Sequence, residues 1–182
     1  MQIEEKQIQE LLVRAKDGDS EAFGTVYESY VTQIYRYIYF RVKDKDIADD
    51  LTQSVFIKIF AHIDQIDPEY PRAYFFTVTR NLLADHWKKK KDILFNESDE
   101  EFKLIPSEDN IVAHIDTMQE MNRVRGFLHK LKDEQREALT LRFMHELSTK
   151  EIAEIMDKEE NTVRQLQCRG LKTLREYLVT NH

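Results

Sequence analysis

Residues Leu147 to Leu178 read LSTKEIAEIMDKEENTVRQLQCRGLKTLREYL, two helical patterns separated by about one turn of polar sequence. Ser148 precedes Glu151 at capping-box spacing: its hydroxyl accepts the Glu151 amide while the Glu151 carboxylate reaches back to the Ser148 amide. Leu147 and Ile152 fit the hydrophobic staple at the same end. Ile152, Ala153, Ile155 and Met156 follow at helical spacing, and Asp157-Lys158-Glu159-Glu160 interrupts them. A second helix is expected from near Asn161. At roughly 100° per residue, Val163, Leu166, Gln167, Gly170, Leu171, Leu174, Tyr177 and Leu178 fall on one side. Asn161, Arg164, Gln165, Cys168, Arg169, Lys172 and Arg175 fall on the other. That second face holds four cations and no acid between Asn161 and Arg175, so it attracts phosphate, and its long side chains reach base edges. A charged face is ordinarily only a solvated face. Here the uniform sign, behind a capped helix and a short turn, points to a helix-turn-helix that reads DNA.

The rest of the chain limits what such a device serves. With 182 residues and 41% hydrophobic residues it has enough apolar material for one large or two small domains. Only four Gly and three Pro occur, strand-like alternation is short, and helix formers dominate, so an almost wholly helical chain is expected. The single cysteine, Cys168, excludes an intrachain disulfide and suits a reducing cytoplasm. Its neighbours Arg164 and Arg169 would favour a thiolate, although a lone cysteine is more often packing or contact surface. The opening MQIEEKQIQELLVRAKDGD is charged throughout, and no apolar run nears the ~18 residues of a membrane span, so neither signal peptide nor membrane insertion is expected. The net charge of −7 requires segregated charge in a DNA binder. Lys88 to Lys91 form one basic run and the Arg164–Arg175 face another.

A first helical block runs from about Ile3 to Lys91. Phe23, Val26, Tyr27, Tyr30, Ile34, Tyr37 and Ile38 trace one stripe; after a polar turn at Lys43 to Asp46, Ile47, Leu51, Val55 and Ile59 trace another. Two prolines break the pattern within Asp64 to Pro71, and Pro71 suits the first turn of a long helix through Trp87. Asp92 to Asn110 is acidic and poor in apolar periodicity, a flexible tether. Periodicity resumes at Ile111 and continues through a helix start near Asp133. The expected domains are therefore 1–92 and 113–182, joined by an acidic linker at 93–112. His62, His86, His114, His129 and His145 are scattered, with no nucleophile and base to pair with and no glycine-rich phosphate loop, so neither enzyme activity nor a cofactor is expected. The Asp44–Asp50 stretch lacks the glycine and terminal bidentate glutamate of a calcium loop; Asp46, Asp49 and Asp50 also suit the positive end of a helix, which leaves a partner-binding role open to them.

In this layout the residues resemble the bacterial sigma-70 family of RNA polymerase sigma factors, of the extracytoplasmic-function (ECF) type. Asp17-Gly18-Asp19 with Ala22-Phe23, Tyr27 and Tyr30 resembles the family's opening "GD..AF..LY..Y". Ala48-Asp49-Asp50-Leu51-Thr52-Gln53 with Phe56 resembles its "AEDL.QE.F". Tyr74-Phe75, Val78-Thr79-Arg80-Asn81 and Asp85 resemble "WL..IARN...D". Leu147-Ser148, Glu151-Ile152-Ala153, Thr162-Val163-Arg164 and Arg169 resemble "LS..EIA......TV......R".

The resemblance implies an all-α chain of two small helical domains, a region 2-like bundle and a region 4-like helix-turn-helix. It implies a cytoplasmic initiation factor that binds core RNA polymerase, directs it to promoter DNA, assists opening, and is held by an anti-sigma factor. By the resemblance, Asp49, Asp50, Gln53 and Phe56 bind the polymerase clamp. Tyr70, Arg72, Tyr74, Thr77, Arg80, Asn81, Trp87 and Lys88 meet the minus-10 DNA, with the Asp64–Tyr70 loop taking a flipped base. Asn161, Thr162, Arg164, Gln165, Cys168, Arg169 and Lys172 meet the minus-35 DNA. The chain departs from the pattern at Ser54, where an acid is common, at Gln165-Leu166 in place of Ser-Arg, and at Glu159-Glu160 before the second helix, where acids repel phosphate. Two other readings fit a basic helix: a helix-turn-helix regulator with a ligand-sensing N-terminal domain, and a protein-interaction module that uses the helix only for docking.

Overall fold

The computed structural model describes residues 5–96, 128 and 130–180, with side chains at 6–90, 128, 130–177 and 179. Their secondary structure is helical throughout, and the chain divides into two compact units between Ser107 and Glu108. The stripe from Ile111 to Phe127 lies outside the described residues, as does the tether beyond Asn96.

The N-terminal unit holds α1 (Glu5–Lys16), α2 (Ser20–Val42), α3 (Lys45–Ala61), a 3-10 turn (Ile63–Gln65) and α4 (Pro71–Asn96). Polar side chains at the turns decide where these helices begin. Gly18, at φ +94°, adopts a backbone shape that a Cβ would strain. Asp19 then accepts the Glu21 and Ala22 amides at 3.1 and 3.0 Å. Its other oxygen takes Arg14 at 2.6 Å. The Ala22 amide and Arg14 together hold the Asp19 carboxyl below the usual carboxylate range. Lys43 ends α2 in the left-handed region and donates to Tyr39 O at 3.0 Å, and Asp44 starts α3 by accepting the Ile47 amide at 3.0 Å.

Burial follows the predicted stripes at most positions, but Tyr27 is exposed and Phe23, Ile47 and Leu51 are half-buried. Tyr30, Ile34, Tyr37 and Ile38 meet Val55, Phe56 and Ile59 from α3 and Phe75, Phe76 and Leu83 from α4 in one core. Edge-on ring pairs organise it: Tyr30–Phe75 at 4.7 Å, Tyr37–Phe76 at 5.2 Å and Phe56–Phe75 at 6.4 Å. Such pairs add about 0.5–1.5 kcal/mol each beyond burial. Thr52 and Thr79 are buried with their hydroxyls donating to the carbonyls of Ala48 and Phe75, both at 2.7 Å. Helix α4 runs four residues past the expected domain edge at 92, because Asp92-Ile93-Leu94-Phe95 contains no glycine or proline to stop it.

The C-terminal unit holds α5 (Asp133–Met144), α6 (Thr149–Met156) and α7 (Glu160–Thr180). The expected capping box is present, with Glu151 N–H donating to Ser148 Oγ at 3.2 Å and Ser148 N–H to Glu151 Oε2 at 2.7 Å. Arg136 donates to Leu128 O and Leu131 O, both at 3.0 Å, which ties the approach to α5 onto its first turn. Asp157, at φ +53°, ends α6. Leu128, Leu131, Leu139, Leu141, Leu147, Ile152, Ile155, Met156 and Val163 form the core. Gly170 permits α7 to pass α5 closely: a Cβ there would lie 2.8 Å from Leu139 Cδ1. No helix among the described residues is long and apolar enough to cross a membrane.

Candidate nucleic-acid interfaces

Helix α7 presents Asn161, Thr162, Arg164, Gln165, Cys168, Arg169, Lys172 and Arg175 to solvent, with Val163 and Gly170 buried on its opposite side. Every residue assigned to the minus-35 surface is thus brought together on one face. Leu171, expected on the packed side, is 47% exposed. It lies at the edge of the stripe, about 100° round the axis from buried Gly170. Cys168 is an exposed free thiol, so it is surface and not packing. The basic face is not wholly free of acids in space. Glu160, one turn ahead, accepts Arg164 Nη2 at 2.7 Å. The i, i+4 spacing was the signal for it. Lys158 in the turn reaches Glu134 on α5 at 2.8 Å and fastens the two-helix unit to the helix behind it.

On α4, Tyr74, Thr77, Asn81 and Lys88 fall within roughly 60° of one another around the axis. Tyr74 and Thr77 are half-buried, and Asn81 and Lys88 exposed. Half-burial pushes the Tyr74 phenol up. Arg80 and Trp87 flank this face together; Trp87 is 41% exposed, with the Lys90 ammonium 5.4 Å from its ring centre and the His86 ring at 5.3 Å. Burial, then the Lys90 charge, pushes the His86 imidazole down. Lys88 and Lys89 extend the cationic end. Arg72 does not join the group: about 160° round the axis from Tyr74, it shares the arc of buried Thr79 and Leu83. Tyr70 lies before the helix, its hydroxyl donating to Glu69 Oε1 at 2.8 Å.

On α3, Asp50 and Gln53 are exposed and Asp49 is half-buried against α2, where its charge helps raise the Tyr35 phenol after burial. Phe56 is a correction. It is 5% exposed, 4.6 Å from the Tyr27 ring and edge-on to Phe75, and so belongs to the core. Phe56 stands roughly 120° round the helix from Asp50, on the side that packs into the bundle. The exposed stripe continues instead through Ile57, 69% exposed, and Phe60, 55% exposed, whose ring leans on Phe23 at 4.9 Å. The i, i+3, i+7, i+10 spacing from Asp50 was the available signal.

Three surfaces are now placed: an acid-and-apolar stripe on α3, an aromatic-and-amide face on α4, and a basic face on α7. Residues 26–93 match the family model for sigma-70 region 2, and residues 121–174 the model for sigma-70, region 4. The chain belongs to the sigma-70 family of sigma factors. Within that family it is of the ECF type. It is 30% identical over 150 residues to the ECF RNA polymerase sigma factor SigM of Bacillus subtilis, covering 82% of this chain and 91% of that one. It is 35% identical over 176 residues to the ECF RNA polymerase sigma factor BldN of Streptomyces coelicolor, covering 93% of this chain and 65% of BldN's length. Two solved structures share the fold. CnrH, in complex with the cytosolic domain of CnrY, has a TM-score of 0.69 at 22% identity, covering 97% of this chain and 99% of that one. RpoE from Bartonella quintana, in complex with the anti-sigma factor NepR, has a TM-score of 0.68 at 20% identity, covering 88% and 98%. As an ECF sigma factor, the chain acts in promoter-specific transcription initiation and is not an enzyme.

Proposed function

We propose a division of labour among the three surfaces. Asp50 and Gln53, continued by Ile57 and Phe60, dock on core RNA polymerase, acid and amide meeting a basic partner and the apolar end losing water on contact. Tyr74, Thr77, Asn81 and Lys88, with Arg80 and Trp87 beside them, hold the opened minus-10 strand: aromatic faces stack on unpaired bases and cations follow the backbone. The Asp64–Tyr70 loop takes one base out of the stack. Asn161, Thr162, Arg164, Gln165, Cys168, Arg169 and Lys172 read the minus-35 element in the major groove. Residues 1–92, extended by the end of α4, and 113–182 act as two binding modules on the 93–112 tether, each weak alone and strong when polymerase sets their spacing. The protein works in the cytoplasm and is restrained by an anti-sigma factor, as RpoE is bound by NepR.

The uniformly solvent-facing basic side of α7, in a chain that also exposes Asn81 and Lys88 beside half-buried Tyr74, supports this reading best. The test is transcription from a promoter-fragment library by core polymerase with and without the chain. Chain-dependent, promoter-specific transcripts are expected. Asp50→Ala is expected to weaken core association while DNA binding by α7 persists. Tight binding to a palindromic operator without polymerase would replace the reading with that of an ordinary helix-turn-helix regulator.

A further inference from the structure

Lys16 belongs to none of these surfaces, yet its ammonium reaches 50 residues along the chain. It ends α1 and donates to Ile66 O at 2.5 Å and to Asp64 O at 3.3 Å. The first carbonyl lies just beyond the 3-10 turn and the second within it, both in the Asp64–Tyr70 loop. The segment also carries local hydrogen bonds, among them Ile66 N–H to Ile63 O at 3.1 Å, Glu69 N–H to Asp67 Oδ1 at 2.9 Å, and Tyr70 N–H to Asp67 O at 3.1 Å. Local bonds shape the turns, but they do not set where the loop stands against the bundle. The buried Ile66 side chain and the Lys16 ammonium both tie it to the bundle. The root of Lys16 is itself fixed, because Arg14 grips the Asp19 cap just beyond it.

An ammonium carries three donors and no acceptor, so it can draw two carbonyls toward one point. Asp64 O and Ile66 O converge on Lys16, and the chain between them curves around it. Asp64, Gln65, Asp67 and Glu69 then face solvent. An exposed rim with three carboxylates repels a phosphate backbone, which leaves the edge or face of a base as the group such a loop can accept.

We propose that Lys16 is a positioning residue for base capture: it holds the Asp64–Tyr70 loop in the shape that receives the unstacked minus-10 base, without touching DNA itself. The proposal rests on the assignment of base capture to that loop. Three variants of the full chain, Lys16→Met, Lys16→Arg and Tyr70→Ala, are assembled with core polymerase. The probe is a promoter fragment selected by the unaltered holoenzyme, carrying each of the four bases in turn at each minus-10 position of the non-template strand. Open-complex yield, core affinity and thermal stability are measured for each.

Lys16→Met, which keeps the aliphatic stem and removes the donors, is expected to cut discrimination at the captured base roughly tenfold, with core affinity within about twofold of the parent. Lys16→Arg, which keeps a cationic donor, is expected to restore most of it. Full discrimination in Lys16→Met alongside its loss in Tyr70→Ala overturns the role of Lys16 and leaves the loop reading standing. Full discrimination in both overturns the loop reading and the proposal with it. A Lys16→Met protein that loses core affinity and thermal stability together with discrimination shows a general folding role and overturns the positioning role.

Discussion

The two units are held together by different kinds of interaction. In the N-terminal unit, long helices meet through a ring-rich core in which Tyr30, Tyr37, Phe56, Phe75 and Phe76 lock edge to face. In the C-terminal unit, α5 and α6 are short, with 12 and 8 residues. Such segments are marginal as isolated helices; polar devices delimit them, the Ser148–Glu151 box, the Arg136 clamp and the Lys158–Glu134 tie. The consequence for function is direct. A packed core can support a surface assembled from several elements, as α3, α4 and the loop between them require. A capped helix pair presents one helix in one orientation, which is sufficient for a groove reader.

The largest test of this contrast is Phe75→Ala. It removes the ring that meets both Tyr30 and Phe56 and should cost about 3–5 kcal/mol. Hydrogen exchange resolved by residue is expected to show the loss across α2, α3 and α4 with α5–α7 unchanged; equal loss in both units would break the contrast. Next in size is Arg164→Ala, expected to weaken binding to the minus-35 element by about 1–3 kcal/mol, read by titration of an upstream promoter fragment. Because Glu160 already engages Arg164, a smaller loss would mean that the ion pair holds the guanidinium away from the base. Ser148→Ala should cost about 1 kcal/mol by loss of the cap, confined to the C-terminal unit in denaturant titration.

The smallest effect is a pH dependence in the other unit. Asp19 is held below its ordinary pKa of 3.8, so its contribution is complete above that value and is lost as pH falls through the lower folded value. Asp19→Asn should therefore reduce stability at neutral pH and flatten the acid limb of the N-terminal unit. An unchanged acid limb would assign that limb to other carboxylates.

Sequence reading succeeded where a local rule has one solution. A hydroxyl three residues ahead of a glutamate can form a reciprocal cap with no help from distant parts of the chain, and Ser148–Glu151 does. A run of cations with apolar residues at helical spacing has one exposed side, and α7 shows it. The reading failed where a face had to be assigned by resemblance without turning the helix. Phe56 was grouped with Asp50 because both stand in one motif, while helix rotation sends it to the core and brings Ile57 and Phe60 out. Arg72, half-buried, lies on a different arc of α4 from Tyr74. The exposure of Leu171, at the edge of its stripe, depends on where the packed arc ends, which local patterning does not encode.

The sequence by itself determined the all-helical class, the Ser148–Glu151 cap, the exposed basic face of α7 and membership of the sigma-70 family, since each follows from spacing over a few residues or from motifs in order. Only the tertiary structure decided which side of α3 is exposed, how closely α7 passes Leu139 at Gly170, that Glu160 engages Arg164, and that Lys16 bonds to carbonyls 48 and 50 residues away. Those features depend on side-chain rotamers and contacts across the fold, and charge and burial act through distances that chain order does not contain.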